Sequence, residues 1–98
     1  MVLIADSGST KCDWQVYDTT GSMMFQKRTI GINPIIHSDG DICSVLQELK
    51  NDMPNEISQI EFYCAGGKNA ESKQRLIQIF GQFFKQAQVK IEDDLGMA

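Results

Sequence analysis

The 98-residue sequence has little that would mark a membrane or nucleic-acid-binding protein. Its apolar runs are only a few residues long, and the start lacks a basic region followed by a long apolar stretch, which argues against a spanning helix and a secretory signal. Lysine and arginine together number 9 against 13 acidic residues, which gives a net charge of −4. A chain with this charge is not attracted to nucleic acid or to an anionic bilayer. We therefore expect a cytoplasmic protein with neither nucleic acid nor membrane as a partner.

Residues that commonly bind metals or form disulfides are also scarce. The three cysteines, Cys12, Cys43 and Cys64, are widely spaced and form no C-x-x-C pair, so we expect small buried side chains in a reducing compartment. The single histidine, His37, has no second ligand at metal-binding spacing, and we expect a structural or surface role for it. The patterns G-x-x-x-x-G-K-[ST] and G-x-G-x-x-G are absent, which disfavours P-loop and dinucleotide-binding folds.

The composition that is present, 42% hydrophobic and 22% charged, is typical of one globular domain. The apolar run from Val2 to Ala5 predicts a strand covered on both faces, and alternation from Cys12 to Tyr17 predicts a second strand. A weaker third strand follows near Met23 to Thr29, where neighbouring basic residues suit an exposed edge. These segments predict a three-stranded antiparallel meander.

Two helices and two further strands are expected after the meander. Ser38-x-x-Asp41 resembles a capping box, and the following apolar residues keep the i, i+3, i+4, i+7 spacing of one buried stripe: Ile42, Val45, Leu46, Leu49 and Met53. A fourth strand near residues 60–64 leads through glycines into a second amphipathic helix, and Val89 and Ile91 mark a fifth strand. The second helix is predicted to bury Leu76, Phe80, Phe83 and Phe84. We interpret Met23 and Met24 as core, and the helix charges as a solvated face: Glu48, Lys50, Lys73 and Arg75.

The predicted order β-β-β-α-β-α-β is typical of the α/β ribonuclease H-like layout, a mixed sheet with flanking helices. Residues 1–98 would form a single N-terminal domain. Residues 95–98 resemble the start of a further helix, and nothing near Gly96-Met97-Ala98 terminates it, so we expect the chain to be cut from a longer protein.

The turn after the first strand is the first candidate site. Four of its residues offer closely spaced N–H groups and hydroxyls that can cradle phosphate oxygens: Ser7, Gly8, Ser9 and Thr10. Asp6 could hold Mg²⁺ through water, because magnesium usually takes only one or two carboxylates beside substrate phosphates. Lys11 would add positive charge. The alternative is that a tight hairpin simply favours these small and polar residues.

A second acid follows the fifth strand. Asp6 and Asp94 would share one crevice if their strands run parallel, one serving a metal and the other accepting a proton. Helix capping by Asp93 and Asp94 is the competing explanation.

Two further polar or glycine-rich positions are candidates for substrate binding. Gly66 and Gly67 either let a ligand approach the backbone or form an ordinary turn. Asn33 either hydrogen-bonds a polar substrate or shapes the turn before Pro34.

The segments LIADSGSTKCDWQVYD, GINP, FYCAGG and IEDDLGMA, in this order and at these separations, resemble the start of a bacterial N-acetylglucosamine kinase-like protein. That group belongs to the BadF/BadG/BcrA/BcrD-type ATPase family of the sugar kinase, actin and heat-shock chaperone superfamily. The resemblance spans essentially the whole chain but only the N-terminal part of such a kinase. It implies the first half of an actin-like ATPase fold, with ATP and Mg²⁺ as cofactors and a small-molecule sugar as substrate.

The resemblance also implies a role for each candidate residue. Residues 7–10 become the first phosphate-binding turn, Asp6 the acid that orders magnesium, and Asp94 the catalytic base that accepts the hydroxyl proton. Asn33 would contact the amino sugar, and residues 66–67 would line its site. The family usually has glycine where Ser7 stands, and Asp93 beside Asp94 leaves open which of the two is the base.

Other functions remain open from the sequence. One is an ATPase activator of a dehydratase with an iron–sulfur cluster, although none of the three cysteines shows the close placement such a cluster needs. Another is a metal-dependent nuclease-like module that uses two acids, which the negative charge disfavours. The chain by itself would be catalytically silent, and apolar surface facing an absent domain leaves a homodimer open.

Overall fold

The computed structural model describes residues 1–8, 10–53, 56–64 and 69–93. Seven elements follow one another along the chain: β1 (Val2–Ser7), β2 (Lys11–Tyr17), β3 (Met23–Ile30), α1 (Asp39–Asp52), β4 (Gln59–Cys64), α2 (Ala70–Phe83) and β5 (Gln88–Asp93). The predicted α/β class, element order and antiparallel meander are confirmed.

The five strands form one mixed sheet in the order β3-β2-β1-β4-β5. β1 pairs antiparallel with β2 and parallel with β4, and β4 pairs parallel with β5. The carboxyl ends of β1, β4 and β5 therefore meet at one edge of the sheet. In this register Ser7 lies opposite Cys64, which lies opposite Asp93. The turn after β1 and the end of β5 thus share the edge at which ligands bind in many open α/β sheets.

Both helices pack against the same face of the sheet. The ring centroid of Trp14 lies 5.8 Å from that of Phe62 in β4 and 6.3 Å from that of Phe80 in α2. All three side chains are fully buried, and large aromatic side chains of this kind dominate the energetics of a small core. Cover on both faces of β1 was expected, but within the described residues only one face is fully covered, because Val2 and Ile4 remain half-buried.

The first helix begins as its sequence predicts. The Ser38 hydroxyl accepts the Asp41 N–H at 3.2 Å, and the Asp41 carboxylate accepts the Ser38 N–H at 3.3 Å, which completes a capping box. Such a cap stabilises a helix by about 1 kcal/mol. The whole predicted stripe is buried: Ile42, Val45, Leu46, Leu49 and Met53.

Two interpretations of side-chain burial were wrong. Met23 and Met24 are 50% and 54% exposed rather than core, because β3 is the outermost strand and its pairing shifts between Val16 and Tyr17. Arg75 is not part of a solvated face, since it is engaged by a loop and by the start of α1.

Both described helices have 14 residues, and neither is long and apolar enough to cross a membrane.

Candidate phosphate and substrate site

The turn between β1 and β2 is a tight hairpin at the carboxyl edge of the sheet. The Gly8 N–H donates to the Lys11 carbonyl at 2.8 Å, which closes the hairpin. Asp6, Gly8, Thr10 and Lys11 are exposed, whereas Ser9 lies outside the described residues. The exposed positions leave the turn open to a ligand from solvent.

Gly8 is not required by the fold of this turn. A Cβ atom placed on Gly8 would meet only the Lys11 carbonyl oxygen at 3.7 Å, an ordinary van der Waals distance, and Gly8 does not have a positive φ. By contrast, Gly21 in the next turn has φ +88°, a conformation that other residues rarely adopt. The missing side chain at Gly8 leaves the turn backbone accessible from outside, as phosphate oxygens require.

Ser7 differs from its neighbours in the turn because its side chain is buried. Its hydroxyl accepts the Ile32 N–H at 2.7 Å and donates to the Ile32 carbonyl at 2.9 Å. The residue is only 1% exposed. In this structure the Ser7 hydroxyl therefore joins the β1–β2 turn to the segment that carries Asn33, and its predicted part in phosphate binding stays a prediction.

Asn33 organises a turn of its own. Its Oδ1 atom accepts the Ile35 N–H at 2.9 Å, and its carbonyl accepts the N–H groups of Ile36 and His37 at 3.0 and 2.8 Å. Of the two roles considered for Asn33 from the sequence, the shaping of a turn is thus observed. Within the described part of the chain no group accepts a hydrogen bond from Asn33 Nδ2, so these residues leave its two N–H donors unused.

His37 completes the same turn, as expected for a structural histidine. Its Nδ1 atom accepts the Asn33 N–H at 2.9 Å, which places the imidazole proton on Nε2. Residues 33–37, which we call the Asn33 turn, are therefore held by hydrogen bonds within the turn itself. Their next residue, Ser38, is the N-cap of α1.

Arg75 of α2 is a residue of the site region that sequence reasoning missed. Its guanidinium donates from Nε to the Asp39 carboxylate, from Nη1 to the Pro34 carbonyl, and from Nη2 to the His37 carbonyl, the last at 2.6 Å. These partners are 36 to 41 residues away in the chain. No local pattern around Arg75 indicates them, since a charge on the polar side of an amphipathic helix is most often solvated.

Asp6 lies on the face of the sheet that the described helices leave open. Its neighbours in the register are Asp13 of β2 and Tyr63 of β4. A hydrogen bond from the Arg28 guanidinium, at 2.6 Å, lowers the pKa of the Asp13 carboxyl, so this second acid is already paired. A hydrogen bond to Glu61 raises the pKa of the Tyr63 phenol, which stays neutral. No described cation pairs with Asp6.

The carboxylates of the described residues could hold only a metal ion that takes few of its ligands from the protein. Within residues 1–8, 10–53, 56–64 and 69–93, no group of three or more His, Cys, Asp or Glu side chains could hold a metal ion. A dedicated protein cage is therefore not found in these ranges. The exposed carboxylate of Asp6 beside the turn suffices for Mg²⁺ that keeps most of its waters and shares a bound phosphate.

The expected burial of the cysteines is confirmed for Cys12 and Cys64, whereas Cys43 is half-buried. Cys12 and Cys64 flank Ser7 on the two neighbouring strands. Burial raises the pKa of the Cys12 thiol to about 12. Burial therefore keeps the Cys12 thiol protonated at neutral pH, and the thiol packs below the turn, where it shares a hydrogen bond with the Ser7 side chain.

An open cleft of about 640 Å³ lies between the turn and α1. Its lining includes two basic and two acidic side chains, Lys11 and Arg28 against Asp41 and Glu48. Because these charges balance, the cleft has no net positive charge that would favour an anion. The exposed backbone of the turn is the better phosphate candidate.

The structure brings some of the predicted site residues together and leaves others untested. Asp6 and Ser7 share an edge with the end of β5, two strand spacings or about 10 Å away. Asp93 ends β5, and Asp94 follows it outside the described residues. Ser9, Gly66 and Gly67 also lie outside those residues, so their assignments stay predictions.

Comparisons with known proteins show likeness to solved structures. No family model matches the sequence, and no curated protein matches it. The chain is similar in structure to a candidate N-acetylglucosamine kinase from Porphyromonas gingivalis, with a TM-score of 0.84 and 27% sequence identity over 97% of this chain. The match covers 35% of that protein, so this chain spans about a third of its length. The likeness supports a sugar-kinase-like architecture.

Proposed function

We propose that this chain is the N-terminal part of an ATP-dependent kinase that phosphorylates N-acetylglucosamine or a related amino sugar. The observation that carries this proposal is the structural match to the Porphyromonas gingivalis protein, because that match covers nearly the whole of this chain. We further propose that the fold is the ribonuclease H-like first half of an actin-like ATPase. The adenosine-binding segment and a second domain would then belong to a longer protein, of the BadF/BadG/BcrA/BcrD type.

The turn would bind the ATP phosphates. Three observations support this role: the backbone of the turn is exposed, Gly8 lacks a side chain where the fold would accept one, and Lys11 supplies a nearby positive charge. Ser9 and Thr10 would add hydroxyl and N–H donors. Ser7 would fix the turn through Ile32. Most of the catalytic power of a kinase comes from this kind of positioning.

Asp6 would hold the magnesium ion through water. When bound, Mg²⁺ neutralises charge on the phosphates during transfer. The exposed carboxylate at the end of β1 fits this role because magnesium needs few protein ligands.

The sugar would bind beside the Asn33 turn. The Asn33 amide oxygen is used within the turn, so its Nδ2 group would donate to a sugar oxygen. A buried side chain whose geometry is fixed by backbone hydrogen bonds is well suited to recognise a small polar ligand. Gly66 and Gly67, which follow β4 in the sequence, would line the other side.

Asp94 would accept the proton of the attacking sugar hydroxyl. The parallel arrangement of β1, β4 and β5 supports this role, because the carboxyl end of β5, which Asp94 follows in the sequence, lies at the same edge as the turn. Asp93 is the alternative base. A carboxylate within hydrogen-bond reach of the hydroxyl is the usual base in kinases.

The test is ATP-dependent phosphorylation by the full-length protein across a panel of amino sugars and hexoses. Asp93→Asn and Asp94→Asn serve as a matched pair, and the proposal expects loss of product in Asp94→Asn alone. ATP hydrolysis without any sugar product would favour the dehydratase activator instead, for which iron and sulfide analysis is the direct check. Cleavage of nucleic acid would favour the nuclease-like module.

A further inference from the structure

The Asn33 turn is connected to the second helix by one side chain. Arg75 donates to the carbonyls of Pro34 and His37 and to the carboxylate of Asp39 at the start of α1. Neither of the two carbonyls accepts a backbone hydrogen bond from the described residues. Arg75 is therefore the group that satisfies both ends of the turn.

The chemistry of arginine suits this position. A planar guanidinium presents five N–H donors in a fixed geometry and can bind three acceptors at once, whereas a lysine ammonium is a compact point charge. The Arg75 side chain is 29% exposed and the Asp39 side chain 66%. The ion pair with Asp39 is therefore screened by solvent, and the two bonds to backbone carbonyls hold the turn in place.

The position of Arg75 links α2 to a turn that the proposed function assigns to the sugar. α2 begins at Ala70, shortly after Gly66 and Gly67, while the Asn33 turn carries the proposed amide donor. The hydrogen bonds of Arg75 hold α2 and the Asn33 turn at a fixed distance from each other. A displacement of about 1 Å in a binding group is enough to weaken a polar contact severely.

We propose that Arg75 is a positioning residue for sugar binding: it fixes the Asn33 turn against α2 without itself contacting the sugar. This inference rests on the proposed kinase function. Arg75 contacts no residue of the turn at residues 7–11 among the described contacts. The Ser7–Ile32 hydrogen bonds that hold the turn at residues 7–11 do not involve Arg75, so the loss of Arg75 should affect the sugar far more than ATP.

The experiment measures steady-state kinetics of the full-length protein with Arg75→Met, Arg75→Lys and Lys73→Met. Arg75→Met should raise the KM for N-acetylglucosamine about tenfold or more, while the KM for ATP stays within about twofold. The sugar KM of Arg75→Lys should lie between those of wild type and Arg75→Met, because lysine keeps the positive charge but lacks the planar guanidinium. Lys73 lies on the same helix, carries the same charge and forms no ion pair with the described residues. Both KM values of Lys73→Met should therefore match those of wild type.

The inference would be overturned if the two KM values changed equally, or if the sugar KM were unchanged while the melting temperature fell. Either result would leave Arg75 with a structural role only. If Arg75→Met fails to fold, the comparison of sugar and ATP KM values in Arg75→Lys decides in the same way. A wild-type protein that phosphorylates no sugar would overturn the proposed function, and the inference with it. An active wild type with unaffected Arg75 variants would overturn the inference alone.

Discussion

The hydroxyl of Ser7 binds both backbone groups of Ile32, accepting the N–H at 2.7 Å and donating to the carbonyl at 2.9 Å. This contact joins residues 25 positions apart and connects the end of β1 to the residue that precedes Asn33. The two turns that the proposed kinase would use for phosphate and sugar are thus joined by one buried hydroxyl. Its removal tests how much the link stabilises the fold.

Ser7→Ala should destabilise the protein by about 1–3 kcal/mol, because it leaves a buried N–H and a buried carbonyl without their partner. Urea denaturation followed by circular dichroism measures this change. Ser44→Ala is the matched control, since Ser44 is exposed within α1 and alanine there is neutral or slightly stabilising. A Ser7→Ala variant as stable as Ser44→Ala would show that the link contributes nothing.

Substitution of two glycines should separate a functional glycine from a structural one. Gly8→Ala should leave the free energy of unfolding nearly unchanged, since its Cβ meets only an ordinary contact, and yet weaken ATP binding by the full-length protein. Gly21→Ala should cost about 1 kcal/mol of stability because of the positive φ, and leave ATP binding intact. Denaturation and ATP titration of both variants are the measurements. ATP affinity that is unchanged in Gly8→Ala would remove the turn from the phosphate site.

The Asp13–Arg28 pair gives a dependence on pH with a definite sign. The hydrogen bond from Arg28 lowers the pKa of Asp13 from its ordinary 3.8, so the stabilisation is fully present above 3.8 and disappears as the pH falls through the lowered value. The effect should be small, because the side chains are 40% and 61% exposed. Asp13→Asn should shift the urea midpoint slightly at pH 7 and not in strong acid. An equal shift at both pH values would exclude the ion pair as its cause.

Cysteine reactivity should follow burial. With its pKa raised to about 12, Cys12 has a negligible thiolate fraction at pH 8, so alkylation should be slow in the native state. Cys43 is half-buried and should react first, while Cys12 and Cys64 should react only after unfolding. Timed alkylation with peptide mass spectrometry identifies each site. Native labelling of Cys12 as fast as that of Cys43 would contradict the packing below the turn.

The parts of the fold that follow from local sequence were predicted well. The capping box of Ser38 and Asp41 lies within one helical turn, and the α1 stripe repeats at short spacing, so neighbouring residues specify both. The carboxyl edge of the sheet also follows from strand order.

Contacts between distant segments could not be predicted in this way. Arg75 and Ser7 find their partners 25 to 41 residues away, and those contacts exist only once the strands and helices pack. The exposed edge position of β3 was predicted from its basic residues, but the sequence does not show which apolar side chains of an edge strand the core covers, and the exposure of Met23 was therefore missed. Of the candidate site, the sequence pointed to the turn and to Asn33 but not to the contacts of Ser7 and Arg75 that hold these two segments in place.

The measurement to make first is the mass of the product formed from ATP and N-acetylglucosamine by the full-length protein, beside Asp94→Asn. The kinase proposal predicts a sugar phosphate that depends on ATP and magnesium and disappears in the variant. No phosphorylated sugar from the wild type, with ATP present in excess, would contradict it.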